Sequence, residues 1–192
     1  MAVCVDGVRI VSRAEIDAAL RHVDAVAAME RAFAAQAAGT ARLPPVGEIL
    51  FDDPPGELHV KSGHIAGDGV FVVKMATGFY RNPARGLPSS SGMMAVFDAA
   101  TGRPAALLLD GGHLTDIRTA AAGAVAAKYL APPVVSRIGI VGSGIQARLQ
   151  ARYLKAVTAC RALTVWARDS GAARACADDL TAEGFEVRIA PS

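Results

Sequence analysis

A lysine interrupts an apolar stretch of the chain and could take part in proton transfer. In FVVKMATGFYRNPARGLPSSSG, residues 71–92, strand alternation predicts Val72, Lys74 and Ala76 on one face. Apolar surroundings disfavour a charged ammonium, so a lysine placed there releases its proton readily and suits general acid–base catalysis. The alternative is an edge-strand lysine that opposes aggregation, and spacing alone does not decide between the two. Lys61 in LHVKSG repeats the pattern on a neighbouring predicted strand.

Two arginines could bind the carboxylate of a small substrate. Arg42 lies in the proline-rich segment ARLPP, and Arg118 lies in the first turns of a helix predicted over about residues 116–130, with Thr115 as its N-cap. The fork of a guanidinium matches a carboxylate in geometry and charge. Spacing does not show that the two arginines converge, and the alternative for each is an ordinary surface residue.

A glycine turn follows the apolar segment RIGIV and opens another predicted helix. Gly142, Gly144 and Ala147 have the spacing G-x-G-x-x-A, which permits a tight turn, a close approach of the backbone to a pyrophosphate, and close helix–strand packing. The phosphates would bind free N–H groups at the helix N-terminus. A second strand follows at the expected distance, so we predict a dinucleotide site rather than a turn without a ligand. The predicted cofactor-binding residues of the turn are Gly142, Ser143, Gly144, Ile145, Gln146 and Ala147.

The end of that second strand, in TVWARDS, should select between NAD and NADP. An NAD-binding protein usually places Asp or Glu there to bind the ribose hydroxyls. Here Ala167 takes the expected position and Arg168 follows it. A guanidinium suits a 2′-phosphate, so we predict NADP with Arg168 among the cofactor-binding residues. A register shift of two residues would bring Asp169 into place and favour NAD.

Composition excludes several other classes of function. The chain has 192 residues, 52% of them hydrophobic and 20% charged, with a net charge of +2. These values are typical of a globular core and argue against a nucleic-acid partner, which would usually require a basic stripe. No apolar run is long enough to span a bilayer, and the N-terminus shows no signal peptide. The four histidines and three cysteines show no metal or disulfide spacing, so we expect a cytoplasmic protein without a metal site.

The order of predicted elements indicates two differently built parts. A strand at Val8–Ser12 runs into a capping box at Ser12 and Glu15, and a second helix covers about residues 24–38. Residues 47–110 read as strands with a hairpin near their end. From residue 136 the order becomes β-α-β-α-β, which is typical of a parallel sheet with helices on its faces. The predicted fold class is α/β: an N-terminal α+β domain, then a partial Rossmann domain with a doubly wound parallel sheet.

Two long segments together carry a resemblance to a known family. They are FVVKMATGFYRNPARGLPSSSGMMAVFDAATGRPAALLLDGGHLTDIRTAAAGAVAAKYLAP and IGIVGSGIQARLQ. Residues from about Arg42 to Asp169 thereby resemble the ornithine cyclodeaminase/mu-crystallin family. The family includes cyclodeaminases, ketimine and imine reductases, alanine dehydrogenases, ectoine-utilisation homologues and mu-crystallin. The loop GFYRNPARGLPSSSG is more similar to the reductase and ectoine-type members than to true cyclodeaminases.

The resemblance implies roles for individual residues. Lys74 matches the active-site lysine, and Arg118 and Arg42 match the carboxylate-binding arginines. Ser89 matches a hydroxyl residue near the substrate, and Lys61 matches a second recurrent lysine. The glycine turn matches the phosphate loop of the family.

The resemblance also implies an activity and an organisation. The expected activity is that of an NAD(P)-dependent oxidoreductase acting on the C–N bond of a small amino or imino acid. The alternatives are ornithine cyclodeaminase, which converts ornithine to proline plus ammonia and recycles NAD, and a non-catalytic NADP-binding protein. Residues 1–131 would form a substrate-binding and dimerisation domain of a homodimer, and residues 132–192 the first half of the NAD(P)-binding domain. The family continues beyond this point, so we expect a C-terminally truncated member.

Overall fold

The structure is a computed structural model that describes residues 3–191. Within this range the chain forms five α-helices, a short 3-10 helix and eleven strands. The helices are α1 (Arg13–Leu20), α2 (Ala25–Ala37), α3 (His113–Leu130), α4 (Ile145–Leu154) and α5 (Ser170–Ala182), and the 3-10 helix spans Asn82–Arg85. The strands are β1 (Val3–Val5), β2 (Val8–Ser12), β3 (Ala41–Arg42), β4 (Gly47–Phe51), β5 (Gly56–Ile65), β6 (Val70–Phe79), β7 (Ser90–Asp98), β8 (Pro104–Leu109), β9 (Ile138–Val141), β10 (Ala162–Trp166) and β11 (Glu186–Ile189).

The chain divides into two compact units. The first comprises the chain up to Asp24 together with Arg31–Leu114, and the second comprises Ala25–Glu30 together with the chain from Thr115 onwards. The division falls inside α3, whereas the sequence predicts a domain boundary between residues 131 and 132. The functional assignment of the two domains stays a prediction.

The first unit contains an eight-stranded sheet in the order β1-β2-β8-β7-β6-β5-β3, with β4 also paired to β5. All neighbours are antiparallel except β2 and β8, which run parallel. The predicted hairpin joins β7 to β8. There the Asp98 carboxylate accepts hydrogen bonds from the N–H groups of Ala100 and Thr101 at 3.1 and 2.7 Å. This mixture of long antiparallel strands and flanking helices confirms the α+β prediction for the first part of the chain.

Two helix starts show where local sequence signals succeed and fail. At α1 the predicted capping box is present: the Ser12 hydroxyl accepts from the N–H of Glu15, whose carboxylate accepts from the N–H of Ser12. At α3 the prediction of Thr115 as N-cap is wrong, because the helix already begins at His113. The buried carboxylate of Asp110 accepts from the N–H of Leu114 at 2.8 Å and thereby satisfies an N–H of the first turn.

The second unit contains the parallel sheet that the sequence predicts. Its strand order is β11-β10-β9, with α4 and α5 as the connections between successive strands. The hydrophobic core of this unit lies mainly between β10 and α5. Its largest buried side chains are Leu163, Val165, Cys176, Leu180 and Phe185. Over residues 3–191, no helix has both the length and the apolarity needed to cross a bilayer.

Candidate active site and dinucleotide site

Two lysines lie side by side on one face of the first sheet. Lys61 on β5 and Lys74 on β6 are direct register partners, so their side chains leave the same face. Met94 on β7 is the partner of Lys74 on its other side. Lys74 is half-buried, whereas Lys61 is exposed. Lys74 therefore lies in a mixed row of one lysine and one thioether, rather than at an edge of the sheet.

The opposite face of the same strands holds an apolar cavity. It has a volume of about 520 Å³, and Met75, Met93, Thr77 and Ser91 are among the residues that line it. Met75 alternates with Lys74 along β6, so this cavity and the two lysines lie on different faces of the sheet. Neither lysine therefore lines this cavity.

The remaining predicted substrate residues are placed less uniformly. Arg42 is the register partner of His64, which lies three residues from Lys61 on β5 and therefore faces the other side of the strand. Ser89 is exposed in the loop before β7, and its carbonyl accepts from the N–H of Phe79 at 2.7 Å. Arg118 is exposed on α3, in the second unit.

A charged cluster on the lysine face was missed by sequence reasoning. Glu48 on β4 and His59 on β5 are register partners, and the His59 Nε2 lies 3.1 Å from a Glu48 oxygen and 3.9 Å from a Glu57 oxygen. Glu57 also accepts from the Tyr80 hydroxyl, which raises the pKa of Tyr80. Among residues 3–191 this is the one group of three side chains with the donor types and proximity of a metal site. A hydrogen bond between the His59 ring and the exposed Glu48 carboxylate also accounts for the short contact, so the cluster does not by itself indicate a metal.

In the second unit, the glycine turn lies between β9 and α4. Gly142 has a φ of +113°, which side-chain-bearing residues rarely adopt, and its N–H donates to the Trp166 carbonyl at 2.7 Å. Gly144 is the N-cap of α4, and it makes no side-chain capping hydrogen bond to the first N–H groups of the helix. A Cβ added to either glycine would meet no atom within 4 Å. The turn is thus open on the side where a phosphate would approach the first N–H groups of α4.

A cavity of about 380 Å³ adjoins the turn at the end of β10. Ser143, Trp166, Ala167 and Arg168 are among the residues that line it. Asp169 also borders the cavity, but its carboxylate caps α5 by accepting from the N–H of Ala172 at 3.0 Å. Arg168 is exposed at the border of the same cavity.

One predicted cofactor residue uses its side chain elsewhere. The Gln146 amide donates to the carbonyl and the carboxylate of Asp116 on α3, at 3.2 and 3.0 Å. Within the described residues its Oε1 is buried without a partner. A Cβ added to Gly123 of α3 would lie 1.9 Å from the Gln150 Oε1 of α4, so these two helices pack closely in the same unit. The backbone of Gln146, by contrast, lies in the first turn of α4.

Residues 8–192 match the sequence profile of the ornithine cyclodeaminase/mu-crystallin family. The chain belongs to that family. An uncharacterised cyclodeaminase of Sinorhizobium fredii is 47% identical over 162 residues, which are 84% of this chain and 49% of that protein.

Two solved structures of family members have the same fold. The pyrroline-2-carboxylate reductase of Thermococcus litoralis, in complex with NADH and L-proline, matches with a TM-score of 0.87 and 27% identity over 95% of this chain and 57% of that one. An archaeal alanine dehydrogenase dimer with bound NAD matches with a TM-score of 0.86 and 29% identity over 95% of this chain and 55% of that one. The chain spans about half the length of the relatives that it matches.

Proposed function

We propose that the protein is an NAD(P)-dependent oxidoreductase that acts on the C–N bond of a small amino or imino acid. One observation carries the proposal, namely that this chain of the family combines two features. The glycine turn before α4 is open and has no side-chain cap. The half-buried Lys74 is the register partner of a second lysine, Lys61, on the neighbouring strand. The first feature suits a dinucleotide, and the second suits binding and protonation of an anionic imine. The reductase bound to NADH and L-proline has the same overall fold.

We propose NADP as the preferred cofactor. Its pyrophosphate would lie against the turn Gly142–Ala147 and bind the free N–H groups at the start of α4, and Arg168 would bind the 2′-phosphate by charge-assisted hydrogen bonds. The capping role of Asp169 engages one of its two carboxylate oxygens, which supports NADP over NAD. The NADH and the NAD bound in the two related structures support a dinucleotide here and keep NAD as the alternative. When bound, the nicotinamide supplies or accepts the hydride.

The residues of this chain would bind the acid and move a proton. Arg118 would pair with the substrate carboxylate, and Lys74 would give a proton to the imine nitrogen or accept one from the amine. Lys61 and Ser89 would add donors around the substrate. Arg42 is the weaker candidate for the carboxylate, because its register partner faces away from Lys74.

The test is oxidation of NADPH and of NADH with a panel of keto acids plus ammonium or methylamine. We expect turnover that Lys74→Ala abolishes, while NADPH binding stays within about twofold of the unsubstituted protein. Lys74→Arg keeps the charge but does not release its proton, and we expect it to remain inactive. Unchanged turnover in Lys74→Ala would refute the proton-transfer role.

Cyclisation of ornithine is the second candidate, which the cyclodeaminase name of the Sinorhizobium fredii relative favours. Incubation of the protein with ornithine and sub-stoichiometric NAD separates the two. Proline and ammonia without net NADH would establish the lyase, and the absence of both products would exclude it. Saturable NADPH binding without turnover on any substrate would instead indicate a non-catalytic nucleotide-binding protein.

We also propose a homodimer formed through the first unit. Strand β4 exposes three consecutive apolar side chains, Ile49, Leu50 and Phe51, and the archaeal alanine dehydrogenase is a dimer. Light scattering coupled to gel filtration measures the mass directly, and a monomer at micromolar concentration would contradict the proposal. A cytoplasmic location stays a prediction.

A further inference from the structure

We propose that Arg148 is a positioning residue for the dinucleotide phosphates, because it fixes the orientation of the peptide groups in the glycine turn. The proposal rests on the proposed function, since it assumes that the turn binds a pyrophosphate. It adds a role for a side chain that neither the G-x-G-x-x-A spacing nor the cavity beside Trp166 includes.

The Arg148 guanidinium bridges the turn and the neighbouring helix α5. One nitrogen donates to the Ser143 carbonyl at 2.5 Å and to the Gly144 carbonyl at 3.3 Å. The other nitrogens bind the Asp179 carboxylate at 2.7 and 2.6 Å. The side chain is only 19% exposed. The side chain of Arg148, which lies on α4, is therefore anchored to α5 through Asp179 and donates to two consecutive carbonyls of the turn.

These two bonds hold the peptide groups whose other sides carry donors of the turn. In a trans peptide group, the C=O of one residue and the N–H of the next point in opposite directions. Carbonyls 143 and 144 point towards Arg148, so the N–H groups of Gly144 and Ile145 point away from it. Those two N–H groups lie at the start of α4, where an anion is favoured. Arg148 thus keeps the donors directed outwards before any ligand arrives.

The opposite end of the turn is fixed as well. The N–H of Gly142 is already bound to the Trp166 carbonyl at 2.7 Å, so it is not offered to a phosphate. The carboxylate of Asp179 neutralises the guanidinium, so Arg148 acts on the phosphates through the peptide groups rather than by direct charge. Such preorganisation lowers the ordering cost of ligand binding.

Arg152 provides a matched control one helical turn further along α4. Its guanidinium binds Glu183, just after α5, at 2.5 to 2.9 Å. Like Arg148, it links α4 to the region of α5 through an ion pair, but within residues 3–191 the hydrogen bonds of its guanidinium go to the Glu183 carboxylate and not to a carbonyl of the turn. A substitution of Arg152 removes an ion pair of this region and leaves the carbonyls of the turn bound to Arg148.

The experiment is a titration of the fluorescence of Trp166, which is the single tryptophan of the chain and borders the cavity beside the turn. The ligands are NADPH, ADP and 2′-AMP, of which 2′-AMP lacks the pyrophosphate. We expect Arg148→Leu to raise the Kd of NADPH and ADP roughly tenfold or more. This is about the value of one hydrogen bond from a turn N–H to a charged phosphate, which a misdirected peptide group would lose. The Kd of 2′-AMP should change less than about twofold, and Arg152→Leu should leave all three affinities unchanged.

Several results separate the proposal from a purely structural role. Equal losses for ADP and 2′-AMP in Arg148→Leu, or no loss for either, would overturn it. If Arg148→Leu does not fold, Arg148→Gln keeps a polar side chain that cannot bind both turn carbonyls and Asp179, and we expect the same selective loss for ADP to a smaller extent. The unsubstituted protein could bind NADPH but not 2′-AMP. In that case, weaker NADPH binding in Arg148→Leu with unchanged binding in Arg152→Leu would support the proposal, and equal affinities in both variants would overturn it. Absence of NADPH binding by the unsubstituted protein would overturn the proposed function, and this proposal with it.

Discussion

Replacing Gly144 by serine should stabilise the free protein and weaken nucleotide binding, a combination that few substitutions produce. Gly144 is the N-cap of α4 with a φ of −81°, and a Cβ added there meets no atom within 4 Å. Serine therefore fits without strain. Its hydroxyl can accept from the N–H of the second or third helical residue, which makes serine a better N-cap than glycine by about 0.3 kcal/mol.

The same hydroxyl would occupy the N–H groups that we assign to the phosphates. Loss of one hydrogen bond to a charged group corresponds to roughly 10- to 100-fold in Kd. The stability gain corresponds to an increase in Tm of about 1 °C for a chain of this size. Gly144→Ser should thus unfold slightly above the unsubstituted protein in thermal melts, and it should require at least about ten times more NADPH in the Trp166 titration.

Gly142→Ser is the matched variant, because a Cβ added at Gly142 also meets no atom within 4 Å. Its φ of +113° is a conformation that costs a side-chain-bearing residue about 1 to 3 kcal/mol. We expect its Tm to fall by roughly 2 to 10 °C. An unaltered affinity of Gly144→Ser for NADPH would refute phosphate binding at α4, and a lowered Tm of that variant would refute the capping argument.

Two further predictions concern stability. Gly92→Ala should destabilise the protein by about 1 to 3 kcal/mol, because its Cβ would lie 2.6 Å from the Met75 carbonyl, a backbone atom that cannot rotate away. Gly139→Ala on β9 meets open space and should be nearly neutral, and urea denaturation compares the two. The hydrogen bond from Arg152 lowers the pKa of Glu183 in the folded protein. The ion pair therefore stabilises the fold fully above the ordinary glutamate pKa, and this stabilisation is lost as the pH falls from there through the lowered pKa. The difference in unfolding free energy between the unsubstituted protein and Glu183→Gln should therefore be largest near neutral pH and should shrink below about pH 4.3; a difference independent of pH would contradict this assignment.

Features set by neighbouring residues could be predicted from the sequence. The capping box at Ser12 and Glu15 depends on a spacing of three residues, and the glycine turn depends on backbone freedom at Gly142. Both follow from local geometry, and both are present. The start of α3 could not be predicted. The Asp110 carboxylate binds the N–H of Leu114, and this contact requires Gly111 and Gly112 between them to adopt φ of +61° and +91°. In the sequence, these two glycines indicate only an ordinary turn.

Features set by pairing between distant segments were out of reach. Alternation places Lys61 and Lys74 on some face of their own strands, but only the register of β5 with β6 makes them direct neighbours. The cluster of Glu48, Glu57 and His59 likewise needs the register of β4 with β5. A shift of one residue in either pairing would move every side chain of a strand to the other face. Position 42 illustrates the consequence, because its register partner turns away from the lysine face.

Transfer of the label from deuterated NADPH is the most direct measurement of the proposed chemistry. The protein is incubated with a keto acid, methylamine and NADPH carrying deuterium at C4 of the nicotinamide, and the N-methyl amino acid is analysed by mass spectrometry. We predict one deuterium at the α-carbon, with no labelled product in Lys74→Ala. Oxidation of the nucleotide without deuterium in the amino acid, or equal labelling in both proteins, would contradict the assignment.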